Sequence, residues 1–452
     1  MRSKGSQIDF NPQYPKVTNP RIILEDKIRN HSAAVGVVGL GYAGLSTAVE
    51  MAKAGFCVTG VDFDGARVNA VNAGISDHVD VPSETLFQFV VKNQIKATQS
   101  LATVEELDAI SICVPTPLQK TNEPSLSYVV AAIETLRNHL RPGQLIVLES
   151  TAYPGAMRQL ILPILEETGL QVSEDFFLAY TPQRLNPGDP SYKSHIIPRV
   201  IGGITKYCTE MAVLFYRQFI ETIIPVSSSE TAEMVKLLEN TFSSVNTAVV
   251  NEMALLSRKL GINVWEVIDA AQSKPFGFMP FHPGPGLGSD VAPVDARYIT
   301  SKTGVGGFHL RMIELATDIN SQMSSFIIER IADALNEAGK SLKHSRILAL
   351  GVSHKRDSSG VCEAAAIEVL RGLRQKGVSI SFADPYQKSI EIEGAAMKSI
   401  QLSSKIVDSM DCIVLLNDHE NFDYAMIAAQ NALVIDSRNG FKSFPRPNII
   451  PL

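Results

Sequence analysis

The stretch that most constrains this chain is Ala34–Asp62, which reads AVGVVGLGYAGLSTAVEMAKAGFCVTGVD. An apolar run ends in glycines, a segment of helical period follows and stops at a glycine, and a second apolar run closes on Asp62. Gly39, Gly41 and Gly44 form G-x-G-x-x-G at the strand-to-helix turn. Each glycine has a reason: one for the tight turn, one so that a pyrophosphate can approach the backbone, one for close strand–helix packing. The helix start offers free N–H groups and a partial positive charge to phosphates. Asp62 lies at about the 20-residue offset at which a carboxylate meets the ribose hydroxyls. These residues predict a dinucleotide cradle of Gly39, Leu40, Gly41, Tyr42, Ala43 and Gly44, with Asp62 and Arg67 beyond it. Pro115 and Thr116, closing the run AISICVPT, are expected on the same cofactor. A carboxylate at Asp62 repels a 2′-phosphate and favours NAD over NADP; Arg67 pulls slightly the other way.

The rest of the chain repeats this alternation. Strand-like runs QLIVLEST, FFLAYTP, RVIGGI and TIIPVSS follow, with helical stretches between most of them. That pattern argues for a mainly parallel sheet covered on both faces. Residues 229–260 carry apolar positions at helical spacing with no glycine or proline, and predict one long helix or a broken pair. A loop rich in glycine and proline follows, and helical sequence resumes near Phe308. The runs RILALGVS, VSISFADPY, DCIVLLND and ALVIDSRN then predict a second α/β unit. We therefore expect an α/β protein of two Rossmann-like domains joined by a central helical segment. The boundaries are an N-terminal extension over 1–30, an NAD-binding domain over 31–228, a central helical domain over 229–340 and a C-terminal nucleotide-sugar domain over 341–452.

Composition narrows the partners. The 452 residues carry a net charge of −6, which argues against nucleic acid or an anionic membrane as the main partner. Five scattered cysteines show no metal-ligand spacing, so no metal is expected. No apolar run is long enough to span a bilayer and the first residues lack a signal-peptide core, so the expected location is the cytoplasm.

The motifs VGLGYAG, ESTAYPGA, TPQRLNPGD, KLLENTFSSVNTAVVNEM, KPFGFMPFHPGPG and PVDARY stand in this order. In them the chain resembles the UDP-glucose/GDP-mannose dehydrogenase family, closest to bacterial enzymes of UDP-N-acetylhexosamines. The resemblance covers nearly everything from Ala34 onward. It implies NAD as cofactor, a nucleotide sugar as substrate and a homodimer built on the central helices. Family enzymes oxidise C6 of the sugar twice, through an aldehyde captured by a cysteine thiolate.

Four positions depart from the family pattern. Where the family pattern has its cysteine, this chain has Val291, preceded by Asp290 in place of histidine. Valine has no nucleophile. Where the family has a glutamate associated with thioester hydrolysis, this chain has Gln183, which cannot act as a general base. Cys362 stands where the family has an arginine.

The residues implied for the first oxidation remain. Lys236 and Asn240 are one helical turn apart and face the same side. Asp295 holds the position of the carboxylate that works with them through a water, and Thr151 matches the active-site threonine that also borders the cofactor. Taken singly, Lys236 reads as a solvated lysine and Asp295 as a cap; inside matching motifs the site reading prevails. The resemblance assigns Gln183, Arg184, Leu185, Asn186, Lys236, Lys274, Phe281, His282, Gly286 and Arg438 to the substrate, and Arg311 also matches a family position; Lys355, in the segment GVSHKRDSSG that lacks a dinucleotide fingerprint, is expected as a basic contact to the nucleotide. The expected activity is NAD-dependent oxidation of a nucleotide sugar by a single hydride transfer, giving an aldehyde or keto sugar or, if the hydride returns, a rearranged sugar. The alternatives are a four-electron 6-dehydrogenase and a non-catalytic binder that regulates a paralogue.

Overall fold

The computed structural model describes residues 19–76, 78, 80–117, 125–184, 195–287, 310–353, 355–357 and 365–452. The first sheet contains β1 (Ala34–Val38), β2 (Cys57–Val61), β3 (Ile95–Thr98), β4 (Ala109–Ile112), β5 (Gln144–Leu148), β6 (Phe176–Tyr180), β7 (Arg199–Gly203) and β8 (Ile223–Pro225). Their spatial order is β3-β2-β1-β4-β5-β6-β7-β8, parallel throughout except where β6 meets β7. The strands β4, β5 and β6 are buried at every position, which is why they read as continuous apolar runs rather than alternating ones. Strand β3, IKAT, is short and half polar; the apolar pattern does not announce it, and pairing with β2 makes it a strand.

Part of the N-terminal extension is structured. Pro20–Arg29 forms a helix opened by Asn19, whose side chain accepts from the Arg21 N–H. Leu24 and Ile28, one turn apart, are buried in the first core, and Arg21 and Lys27 pair with Glu210 and Asp108, so this polar, proline-containing stretch docks on the domain.

The second sheet has the order β10-β9-β13-β14-β15, all parallel. Its strands are β9 (Arg346–Leu350), β10 (Ser379–Ala383), β13 (Cys412–Leu415), β14 (Leu433–Asp436) and β15 (Ile449–Pro451). A hairpin of β11 (Ser389–Ile392) and β12 (Ala395–Lys398) stands beside it. Both sheets change winding direction between two neighbouring strands, at β1/β4 and β9/β13, and ligands of such sheets bind at the carboxyl ends of those strands.

One unbroken helix, Ser229–Leu260, joins the two units. Ser228 caps its start and Gly261, in the left-handed region at φ 68°, ends it. Its 32 residues span about 48 Å. Ala232 and Leu237 pack in the first core, whereas Val250 and Ala254 pack in the second with Met323 and Ile327 of the helix Arg311–Glu337. Lys236 and Asn240 therefore sit where the helix passes from one core to the other.

The glycine turn fixes the start of the first domain. Gly39 has φ 92°, and a Cβ on Gly44 would lie 1.8 Å from the Gly39 carbonyl oxygen. Gly44→Ala must push the helix off β1, so it should destabilise the protein by about 1–3 kcal/mol or more. A clear drop in the thermal midpoint is expected, and an unchanged midpoint would contradict this packing.

Candidate functional site

The turn after β1 divides its glycine roles as the sequence suggests. Gly39 supplies the left-handed turn against the Cys113 carbonyl, and Gly44 supplies the close contact. A side chain at Gly41 would meet open space, and Gly41 caps the helix Tyr42–Lys53 with no side-chain hydrogen bond. The helix start is thus a bare set of N–H groups beside room for a phosphate, which fits a dinucleotide. Asp62 is nearly buried at the end of β2. Its Oδ2 accepts from the Leu40 N–H at 2.7 Å and from Arg67 Nη1 at 3.1 Å, and its Oδ1 accepts from the Asp64 N–H. Arg67 is thereby engaged by the acid rather than held ready for a 2′-phosphate. Pro115 is exposed and Thr116 half-buried in the loop after β4, whose Cys113–Val114 backbone packs against Gly39. Ser150 Oγ donates to the Val114 carbonyl at 2.7 Å, tying the turn that carries half-buried Thr151 to that loop.

Under the turn lies a buried ion pair that the sequence reading does not single out. Glu149 and Arg199 meet at 3.0 Å with 0% and 2% of their side chains exposed. Glu149 also accepts from Tyr216 at 2.6 Å, from Thr47 at 3.3 Å and from the Gln183 amide. A lone arginine opening an apolar strand run, as in RVIGG, is the signal that could have found it. Gln183 gives its second amide contact to Thr47 at 3.0 Å. A glutamate at this place would confront Glu149 with a second carboxylate; the amide donates to it instead. Cys113, close above, has its thiol pushed well above the ordinary value by burial and then by the charge of Glu149.

Three acids on the first turns of the long helix hold it to this domain. Glu230 pairs with Arg158 at 2.7 Å. Glu233, fully buried, accepts from the Gly155 N–H at 2.6 Å and the Met157 N–H at 2.9 Å, just beyond Thr151. Glu239, beside Asn240, takes both arms of Arg184, whose Nη1 also donates to the Pro198 carbonyl. Arg184 is therefore a tether between the TPQR loop and the helix. Lys236 and Lys355 approach one another across the two domains: burial first, and the charge of Lys236 second, lower the pKa of Lys355.

The loop after Phe281 is anchored from behind. Asn251 and Asn320 pair at 2.9 Å between the two long helices, and Asn251 Oδ1 accepts from the Gly284 N–H at 3.1 Å. Ser324 donates to the Pro285 carbonyl, and Gly286, at φ 121°, passes 3.0 Å from the Asn320 carbonyl oxygen when given a Cβ. Phe281 packs edge-on against Phe242, and His282 stacks on Trp265. A cavity of about 520 Å³ is lined by His282 and Arg438 together with Trp265, Asp418, Tyr424 and Lys442. Arg438 itself donates Nε–H to the Leu416 carbonyl at 3.0 Å. Lys274 is exposed, its ammonium 5.1 Å from the Phe276 ring centroid, and Arg311 is exposed at the start of its helix. Asp295, Leu185, Asn186, Asp290, Val291 and Cys362 lie outside the described residues. Among the described residues no cluster of metal-ligating side chains occurs and no helix is long and apolar enough to cross a membrane.

A dinucleotide turn on the first sheet, with Lys355 and Arg438 on the loops after β9 and β14 of the second, fits an NAD-dependent oxidoreductase with a separate nucleotide lobe. Comparison with known proteins agrees with that class. The NAD binding domain of the UDP-glucose/GDP-mannose dehydrogenase family matches residues 33–220, its central domain 230–322 and its UDP binding domain 348–443. The UDP-N-acetyl-D-mannosamine dehydrogenase of Methanococcus maripaludis is 31% identical over 415 residues, covering 89% of this chain and 92% of the relative. The UDP-N-acetyl-D-glucosamine 6-dehydrogenase of Pseudomonas aeruginosa is 31% identical, covering 78% and 82%. The solved structure of the UDP-N-acetyl-mannosamine dehydrogenase from Pyrococcus horikoshii superposes with a TM-score of 0.83 at 29% identity, covering 92% of this chain and 98% of that one. The chain belongs to the UDP-glucose/GDP-mannose dehydrogenase family.

Glu233 allows a pH test of this junction. Burial pushes its carboxyl up to about 8, against the pull of the Met157 and Gly155 N–H groups. Its folded pKa lies above the ordinary 4.5, so the folded chain keeps a proton the unfolded chain has released. The associated stability is complete below about pH 4.5 and is lost as pH rises to about 8, by up to about 1.4 kcal/mol per unit. The urea midpoint of the wild type should fall over that window more steeply than that of Glu233→Gln. Parallel profiles would contradict the assignment.

Proposed function

We propose that this protein transfers a single hydride from a nucleotide sugar, with UDP as carrier, and stops short of the carboxylate. The observation that carries this reading is Gln183: its amide NH2 donates to Glu149 and Thr47, and it offers no base for hydrolysing a thioester. The thiols support it. Cys57 opens β2 at the end of the sheet opposite the cofactor turn, Cys208 is bonded into the Ser173–Thr205 corner, and Cys412 is buried in β13 with its thiol pushed up to about 12. Cys113 is held protonated by burial and by Glu149. Burial thus keeps Cys113 and Cys412 as thiols, and Val291 stands at the family's cysteine position.

NAD, held by the Gly39–Gly44 turn and Asp62, would supply the hydride acceptor. The protein's own residues bind, orient and move the proton. Lys355 and Arg438 hold the diphosphate, and an anion between Lys236 and Lys355 relieves their mutual repulsion. Lys236 and Asn240 stabilise the developing alkoxide, and Asp295, with a water, takes the alcohol proton. Thr151 borders both cofactor and sugar, and Phe281, His282 and Gly286 wrap the nucleotide. Lys236→Ala should lower turnover by about 100-fold or more while leaving NAD affinity unchanged. Unchanged turnover would favour a non-catalytic binder and sink this mechanism.

We also propose a homodimer in the cytoplasm. Met234, Leu238, Phe242, Val249, Met253 and Leu256 lie exposed along one side of the long helix at spacings of three, four or seven. An exposed apolar stripe of that length suits a second copy of this chain, and the exposed Phe276 and Met279 add apolar surface on the segment before Phe281. Leu238→Asp should shift the protein toward monomer in analytical ultracentrifugation; an undisturbed dimer, or a wild-type monomer, would refute this interface.

A further inference from the structure

The second domain keeps the form of the first without its cofactor cradle. Gly351, at φ 76°, follows β9 as Gly39 follows β1, and Asp384 closes β10 as Asp62 closes β2. Asp62 Oδ2 accepts the Leu40 N–H; Asp384 Oδ2 accepts the Val352 N–H at 2.8 Å and the Ser353 N–H at 3.2 Å. What fills the space is His419, on the loop after β13, with no exposed surface.

The proton inventory of His419 is determined by its neighbours. The Asp357 N–H donates to Nδ1 at 2.9 Å, so Nδ1 carries no proton and Nε2 carries one. That Nε2–H faces Ser353 Oγ at 2.9 Å and Asp384 Oδ2 at 3.2 Å. Ser353 in turn donates to Asp384 at 3.3 Å, which engages its hydroxyl proton. Burial acts to raise Asp384, but the bonds from His419 and the Val352 N–H outweigh it and hold its carboxyl below the ordinary value. The ring is boxed by Tyr386 and Phe422, and the Tyr424 hydroxyl donates to the His419 carbonyl at 3.0 Å.

These bonds reach both cations of the lobe. Ser353 and Asp357 flank Lys355, so the imidazole grips its loop from both ends. Asn417, two residues before His419, donates to the Ser353 carbonyl at 3.0 Å. Leu416, the residue before that, receives the guanidinium of Arg438. Arg356 closes the outside with Asp418 and Glu420. We infer that His419 is a positioning residue for diphosphate recognition: one buried imidazole sets the loop of Lys355 and the loop supporting Arg438 in a single arrangement. It touches no substrate and acts through those two groups. The inference rests on the reading of Lys355 and Arg438 as the diphosphate ligands.

The test uses the full-length protein, UDP as calorimetric probe, NAD titrated separately, and steady-state rates with a UDP-sugar. His419→Gln keeps a donor toward Ser353 but loses the acceptor for the Asp357 N–H; His419→Asn keeps that acceptor. The Gln variant should lose UDP affinity about 10- to 100-fold and raise KM for the UDP-sugar. NAD affinity and kcat should stay near wild type, and the Asn variant should recover most of the loss. Lys355→Met is the control for the underlying reading. If Lys355→Met weakens UDP and folded His419→Gln does not, the role of His419 is overturned while the diphosphate site stands. If Lys355→Met and Arg438→Met both bind UDP like wild type, the diphosphate reading falls, and this inference with it. Equal loss of UDP and NAD affinity in His419→Gln would mark a general folding role and overturn it too.

Discussion

The helix Ser229–Leu260 is the constraint on which the arrangement depends. It is a single rod, and its two ends belong to different hydrophobic cores. A rod of this kind fixes the spacing between the cofactor sheet and the nucleotide sheet without requiring a large direct interface between them. The acids Glu230, Glu233 and Glu239 set its rotation against the first domain, and the Asn251–Asn320 pair sets it against the second helix and the Phe281 loop. Lys236 and Asn240 occupy the stretch between these two sets of anchors. Residues that must meet both a cofactor on one sheet and a sugar held by the other can be placed accurately there.

Beneath this frame, charge is buried where chemistry is expected. The Glu149–Arg199 pair is dry, and breaking such a pair costs about 3–5 kcal/mol, so it holds the ends of β5 and β7 in one register. Gln183 completes the pair's hydrogen bonding, which makes its amide a structural part of the site's floor. A glutamate at this position would set a second carboxylate against Glu149 in place of a donor. The glutamine keeps the network.

Much of this was legible in the sequence, and the limits have physical causes. The glycine turn, Asp62, the long helix and the main strands follow from periodicity and backbone sterics, because those patterns depend on local geometry. Strand β3, the helix Pro20–Arg29 and the hairpin β11–β12 did not stand out: each gains its burial from neighbours distant in sequence, and none has a strong pattern of its own. The same holds for side chains. Lys236 and Asn240 are legible through the family motif KLLENTFSSVNTAVVNEM, with their one-turn spacing in support, whereas Glu233, Arg199 and His419 are defined by partners tens of residues away. Arg184, grouped by its motif with substrate contacts, is tied to Glu239, a pairing that no local pattern signals.

The central claim is that oxidation ends after one hydride. A thiolate route needs a cysteine where Val291 stands and a base where Gln183 stands, and the cofactor turn and Lys236 are present regardless. Purified protein incubated with UDP-N-acetylhexosamines and NAD, with NADH counted optically and the sugar product weighed by mass spectrometry, decides the matter. The account predicts at most one NADH per sugar, with an aldehyde or keto product, or no net NADH and a product of unchanged mass. Two NADH per sugar and a uronic acid would contradict it.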